Sequence, residues 1–215
     1  MLKRRLFKKG QIYHICNKSI ANYKIFGRTS TVIRFIHTLD FYNNSNLSKR
    51  FSNAKRENKY TFNKLILPKP NRLLKIIAFC VMPDHYHLLI KLLKNDILSK
   101  YINNLQNSFT RYFNIKMKRK GPLWQSRFRS VEVKTDEQLL HVSRYIHLNP
   151  TTANLVNKPE DWEYSSYTDY VNNDKILGEV MNEITIKDPK KYKQFCENNI
   201  EYQKKLKKIR KLLLE

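Results

Sequence analysis

The stretch from Leu73 to Leu92 constrains this chain more than any other. Leu73 to Val81 is an almost continuous apolar run, Met82-Pro83-Asp84 carries turn chemistry, and Tyr86 to Leu92 is apolar again. Two short apolar runs joined by such a turn predict a β-hairpin buried inside a sheet. Its return strand opens on His85-Tyr86-His87. Side chains two apart on a strand share a face, so His85 and His87 project together while Tyr86 points to the other side. Two imidazoles on one face can share a cation, whereas leaving them buried and unpartnered costs free energy.

The flanking segments supply the rest of a fold. Ile12 to Asn17 alternates as a strand, and Ser30 to Tyr42 places Val32, Ile33, Phe35, Ile36 and Leu39 at helical spacing. Asn43 to Asn71 is polar and holds Pro68-Lys69-Pro70, which predicts loop or short helix around a brief apolar stretch at Leu65-Ile66-Leu67. Asp96 to Lys116 carries Ile97, Tyr101, Ile102, Leu105, Phe109, Tyr112 and Phe113 on one stripe of a long amphipathic helix. Lys118-Arg119-Lys120-Gly121-Pro122 breaks that helix, and Phe128 to Lys134 alternates as a further strand.

Thr135, with Gln138 three residues on, then caps a helix whose core stripe is Leu139, Val142 and Ile146 and which is expected to close near Asn149, ahead of Pro150. The order strand, helix, strand, strand, helix, strand, helix predicts an α+β fold: a ferredoxin-like antiparallel sheet with helices packed on one face. Residues 1–172 read as one folded domain, and 173–215, charged and ending in a lysine-rich run, as a basic helical C-terminal appendage.

Charge narrows the function classes. The chain has 215 residues, 42 of them Lys or Arg against 18 Asp or Glu, a formal net charge of +24. Such an excess calls for a polyanionic partner, nucleic acid first and an anionic membrane surface second. Basic and aromatic residues interleave in Phe109-Thr110-Arg111-Tyr112-Phe113 and Trp124-Gln125-Ser126-Arg127-Phe128-Arg129, and rings of this kind can stack bases while Arg and Lys track phosphates. Arg111, Trp124, Arg127 and Arg129 are therefore the candidate DNA contacts.

Cys16, Cys80 and Cys196 are odd in number and widely spaced, which suits a reducing cytoplasm rather than a disulfide framework. The basic N-terminus is followed by no apolar core of a signal peptide, and no stretch is long enough to span a bilayer, so a cytoplasmic, nucleoid-associated protein is expected with no membrane partner. With only four glycines there is no phosphate-cradling loop, hence no nucleotide cofactor.

At 100° per residue, Tyr145 and Asn149 lie one turn apart on one edge of the last helix, in line with Gln138. His14 and His147 read as satisfied core or surface histidines, and Tyr112 as core packing. Met82-Pro83-Asp84-His85-Tyr86-His87-Leu88-Leu89, Gly121-Pro122-Leu123-Trp124-Gln125-Ser126-Arg127-Phe128, Tyr145-Ile146-His147-Leu148-Asn149-Pro150 and Asp161-Trp162-Glu163-Tyr164-Ser165-Ser166-Tyr167 occur in that order. Together they resemble the single-tyrosine HUH transposases, insertion-sequence-200-like enzymes, and within them the REP-associated branch.

That resemblance implies a ferredoxin-like core, single-stranded DNA carrying hairpin or palindromic elements as substrate, and a divalent metal, Mg²⁺ or Mn²⁺. It also implies roles: His85, His87 and Asn149 as metal ligands and Tyr145 as the nucleophile that forms a 5′-phosphotyrosine link. Asn149 stands where related enzymes commonly have Gln. The REP-associated branch implies a monomer, against the homodimers of other relatives. Two further readings fit the residues alone: a non-catalytic nucleic-acid-binding protein on the same fold, and a metal-dependent single-strand nuclease that uses water instead of Tyr145.

Overall fold

The computed structural model describes residues 6–57, 59–60, 71–172 and 183–212; the apolar stretch at 65–67 lies outside them. Four strands, β1 (Ile12–Lys18), β2 (Leu74–Val81), β3 (His85–Leu92) and β4 (Arg129–Val133), form one sheet in the order β2-β3-β1-β4. Every pairing is antiparallel. This is the ferredoxin-like arrangement expected from the sequence, with the hairpin β2-β3 where the apolar runs place it.

Seven α-helices accompany the sheet among the described residues: α1 (Thr29–Tyr42), α2 (Phe51–Arg56), α3 (Leu98–Lys116), α4 (Asp136–Thr152), α5 (Tyr167–Asn172), α6 (Pro189–Glu197) and α7 (Ile200–Leu212). Strand alternation decides which helix covers which face. Tyr86 points to α1 and α3: its ring lies 4.9 Å from that of Phe35, and its hydroxyl accepts a hydrogen bond from Gln106 Nε2 at 2.9 Å. His87, its neighbour, points the other way, and its ring lies 5.6 Å from that of Tyr145 on α4.

The crossover helices α1 and α3 thus pack on one face as the sequence predicts, while α4 lies on the opposite face. The amphipathic stripe of α4 says that it packs but not on which side. Leu139 and Ile146 of that stripe are buried, as are Tyr192 and Cys196 of α6, all in one hydrophobic core. The lysine-rich C-terminal stretch therefore contributes core side chains of its own, each fully buried large ring stabilising by about 1.5–3 kcal/mol.

Two local features set the position of α4. Thr135 Oγ1 accepts from the Gln138 amide at 3.2 Å and Gln138 Oε1 accepts from the Lys134 amide at 2.9 Å, so both ends of the S/T-x-x-Q pattern are used at the helix start. The helix does not close at Asn149; it continues through Pro150 to Thr152. A proline this near the C-terminus forfeits one intrahelical bond, and the last turn is closed instead by Ala153 N–H to Asn149 O at 3.0 Å and Leu155 N–H to Pro150 O at 3.0 Å. Asn154, at φ 54°, supplies the left-handed residue that ends it.

The Asp161–Tyr167 motif covers the free edge of β2. Val81 N–H donates to Tyr164 O at 2.9 Å, Ser166 N–H to Phe79 O at 3.0 Å, and the Trp162 indole to Val81 O at 3.0 Å. An exposed strand edge invites pairing with other chains, and this segment blocks it. At the start of β2, Arg72 and Asp40 form a buried ion pair at 2.6 Å, with side chains 8% and 3% exposed. Among the described residues no helix is long and apolar enough to cross a membrane.

Candidate active site

The register of β1, β3 and β4 assembles one row of side chains on the α4 face. Cys16 stands opposite His87, Lys18 opposite His85, and Arg129 opposite Cys16, with His14 one alternation farther along β1. Facing residues of paired strands share a side of the sheet. His14, Lys18, His85, His87 and Arg129 therefore belong to the same surface, and α4 lays Tyr145 across it. The His85 and His87 ring centroids are 5.0 Å apart, and the Tyr145 ring lies 5.6 Å from His87 and 6.1 Å from His14.

Each histidine of the pair has one nitrogen occupied. His85 Nδ1 bonds Asp84 Oδ1 at 2.5 Å, and Asp84 also takes Lys18 Nζ at 3.4 Å. Burial alone would raise the Asp84 carboxyl, but its bond to His85 and the charges of His85 and Lys18 hold it below the usual range. His87 Nδ1 meets His14 Nε2 at 2.9 Å. With Nδ1 as the donor on both His85 and His87, each keeps an Nε2 lone pair for a ligand, an arrangement in which outer partners fix the tautomer of a metal-binding imidazole.

Burial, followed by the neighbouring charges of His14, His85 and Lys207, pushes His87 well below its ordinary pKa, and burial pushes His14 down to about 4. Both rings are neutral near pH 7, the form that binds metal. Asn149, 3% exposed and one turn beyond Tyr145, has a buried Nδ2 with no hydrogen-bond partner. An amide NH₂ donates and ligates no cation; if a divalent metal bound here, the imidazole nitrogens of His85 and His87 and the Asn149 carboxamide oxygen would be its donors, a mixed N and O set.

The remaining sequence candidates separate. Arg129 is exposed on the site face, two residues after exposed Arg127. Trp124, expected as a stacking surface beside the site, lies on the other face of the sheet: its ring packs 5.6 Å from Tyr86 and 6.1 Å from Phe109, and its indole donates to Thr110 Oγ1 at 3.0 Å. Arg111 is on α3, also on that far side. Charge interleaved with aromatics does not disclose which side of a ring becomes core.

His14, read from the sequence as a satisfied core or surface histidine, is bonded to His87 and packs beside the Tyr145 ring. Its one signal was position, two before Cys16 on a strand that could pair with the histidine strand, and only the register converts that into contact. His147 is the satisfied core histidine it was read to be, bonded through Nδ1 to Tyr192 Oη and through Nε2 to Ser166 Oγ, each at 2.8 Å. On α7, Gln203 Nε2 donates to the Tyr145 carbonyl at 3.2 Å, which ties the C-terminal helix to the helix bearing the phenol.

The chain is thus a ferredoxin-like sheet with paired histidines on a central strand and a tyrosine laid over them, and three comparisons show what it is similar to. Residues 69–149 match the family described as transposase IS200-like, a stretch that takes in His85, His87, Tyr145 and Asn149. That segment is similar to IS200-like transposases.

Among particular relatives, a Haemophilus influenzae protein assigned to the REP-associated tyrosine transposases is 34% identical over 103 residues, covering 42% of this chain and 57% of that protein. The REP-associated tyrosine transposase of Escherichia coli is 27% identical over 104 residues, covering 48% of this chain and 60% of that protein. The chain thus spans less than two thirds of the curated relatives it matches. A solved REP-associated tyrosine transposase bound to a REP hairpin superposes with a TM-score of 0.56 at 19% identity, over 80% of this chain and 86% of that one, which establishes a shared fold.

Proposed function

We propose that this protein is a metal-dependent DNA strand transferase that cuts and rejoins hairpin-bearing single-stranded DNA through a 5′-phosphotyrosine intermediate on Tyr145. The observation that carries the reading is the packing of the Tyr145 ring against His87 and His14, on the sheet face that also carries His85. The REP-hairpin complex with the same fold supports hairpin DNA as the substrate class.

His85, His87 and Asn149 would hold Mg²⁺ or Mn²⁺, which supplies polarisation of the scissile phosphate and neutralisation of the charge that develops in displacement. Asp84 and His14 keep the two imidazoles in the tautomer that binding needs. Tyr145 contributes the phenol oxygen: a bond forms between it and phosphorus, the bond from phosphorus to the 3′ oxygen breaks, and the proton lost by the phenol is balanced by the one gained by the leaving 3′ hydroxyl. One phosphodiester-type bond replaces another, so no nucleotide is consumed, and the reverse attack by a 3′ hydroxyl rejoins strands. Arg129, exposed on the histidine face of the sheet, and Arg127 two residues before it would meet phosphates flanking the cut.

The test is incubation of the full chain with single-stranded hairpin oligonucleotides and Mn²⁺ or Mg²⁺, followed by a denaturing gel. A covalent protein–DNA band is expected, absent in Tyr145→Phe and in His85→Ala. DNA cleavage by Tyr145→Phe at the parental rate would replace the proposal with a water-using nuclease. Hairpin binding with no cleavage at all under either metal would leave a binding protein on a transposase fold.

A further inference from the structure

The C-terminal helix α7 lies against α4 with a polar side inward. Tyr202, Leu206 and Ile209 fall at intervals of four and three and form its apolar stripe, yet all three are exposed. Gln203, about 100° round the helix from Tyr202, meets α4 instead and donates to the Tyr145 carbonyl at 3.2 Å. Burying a Leu or Ile side chain is worth about 1.5–3 kcal/mol, and a helix docked for stability alone would not give that up.

Lys207 is one turn beyond Gln203 on the same side of α7. His87, held neutral chiefly by burial, is pushed down further by the charges of His14, His85 and Lys207, which sets the ammonium near the histidine pair. Asp84 acts on Lys207 in return, opposing the lowering that burial imposes on it. Asp84 is already taken by His85 and by Lys18 at 3.4 Å, and Lys207 makes no ion pair with any carboxylate among the described residues. Lys204 on the same helix shows the contrast, paired with Glu201 at 2.9 Å. Lys207 thus comes to the site without an ion-pair partner and open to solvent.

Lys18 and Arg129 share the sheet face of His85 and His87, so with Lys207 three cations gather about a histidine pair whose acidic neighbour is Asp84. Like charges brought together repel unless an anion lies among them. We propose that Lys207 binds the phosphodiester at Tyr145 directly, its ammonium holding a nonbridging oxygen of the linkage that is cut, so that the C-terminal helix is a working part of the site. The inference rests on the reading of Tyr145 as the residue that attacks DNA. An ammonium on a flexible stem suits this task, because it can follow a phosphate as negative charge shifts among its oxygens.

The test uses the full chain, its Lys207→Met and Lys207→Arg variants and, as a control, Lys208→Met at an exposed position on another side of α7. Single-turnover adduct formation on a hairpin oligonucleotide with Mn²⁺, at saturating protein, reads the chemical step. Lys207→Met should slow it about 10–100-fold, Lys207→Arg should recover most of the rate, and Lys208→Met should stay within about twofold of the parent. Fluorescence anisotropy with the metal chelated then compares this oligonucleotide with one carrying a neutral methylphosphonate at the cut position. The parent should bind the charged linkage about fivefold more tightly than the neutral one, and Lys207→Met should bring the two within about 1.5-fold.

A parental adduct rate in Lys207→Met, no preference between the two linkages in the parent, or an undiminished preference in Lys207→Met would overturn the proposal. So would a fallen urea midpoint in Lys207→Met with no recovery of rate by Lys207→Arg, since the lysine would then only dock α7 on α4. If the parent forms no covalent adduct yet Lys207→Met loses the preference for the charged linkage, the phosphate contact stands and the strand-transfer reading falls.

Discussion

Replacing Tyr192 by Phe removes one oxygen from the protein interior and should cost about 2–4 kcal/mol. Tyr192, on α6, is fully buried, and its hydroxyl lies 2.8 Å from His147 Nδ1 and 2.9 Å from Ser143 Oγ, both on α4. Ser143 Oγ in turn reaches the Leu140 carbonyl at 2.8 Å. One direction satisfies every donor: His147 Nδ1–H to Tyr192, Tyr192 O–H to Ser143, Ser143 O–H to Leu140, with Ser166 donating to His147 Nε2. Tyr192→Phe breaks this chain in the middle and strands an imidazole N–H and a serine oxygen in a dry core, each at about 1–3 kcal/mol. Against a typical total of about 5–15 kcal/mol that loss is easily read. In urea denaturation the midpoint should fall with an unchanged slope, while Tyr202→Phe, at an exposed ring, should leave it in place. A loss below about 0.5 kcal/mol for Tyr192→Phe would refute the network and the docking of α6 on α4 with it.

Acid should unfold the protein through its buried neutral histidines. Burial pushes His147 down to about 3 from 6.5, so its contribution is complete above pH 6.5 and is lost as pH falls toward 3. The loss runs at about 1.4 kcal/mol per pH unit, and His147→Gln should flatten the stability profile by that amount between roughly pH 6 and 4 in urea titrations. Arg72→Met, which leaves the Asp40 carboxylate buried without its guanidinium, should destabilise by about 3–5 kcal/mol in the same assay, and Arg72→Met/Asp40→Leu should recover part of it. His14→Ala frees His87 Nδ1 and should weaken Mn²⁺ binding about 10–100-fold in calorimetric titration without shifting the fold, whereas His87→Ala should abolish it.

The hairpin and the long α3 were legible because each is written locally: two apolar runs around Met82-Pro83-Asp84, and a stripe repeating at three and four residues. Strand order followed from the sequence of elements. The face chosen by α4 did not, since Leu139, Val142 and Ile146 would pack equally well on either side of a sheet. His14 entered the site only through the β1-β3 register, a pairing across more than seventy positions that no local pattern encodes. The face taken by Trp124 was not legible either, because local charge placed it beside the site while Phe26, Phe35, Tyr86 and Phe109 hold its ring on the far face. In the C-terminal stretch the lysines masked Tyr192 and Cys196, spaced four apart on the buried side of α6. Pro150 signalled a stop that the last turn of α4 could absorb.

The central claim is that Tyr145 makes the bond to DNA, and peptide mapping of the adduct tests it most directly. After reaction with a hairpin oligonucleotide and Mn²⁺, nuclease trimming and proteolysis, mass spectrometry should find a nucleotide joined through its 5′ phosphate to the peptide bearing Tyr145. A nucleotide on Tyr112 or on any other side chain, or complete cleavage with no modified peptide, would contradict the account.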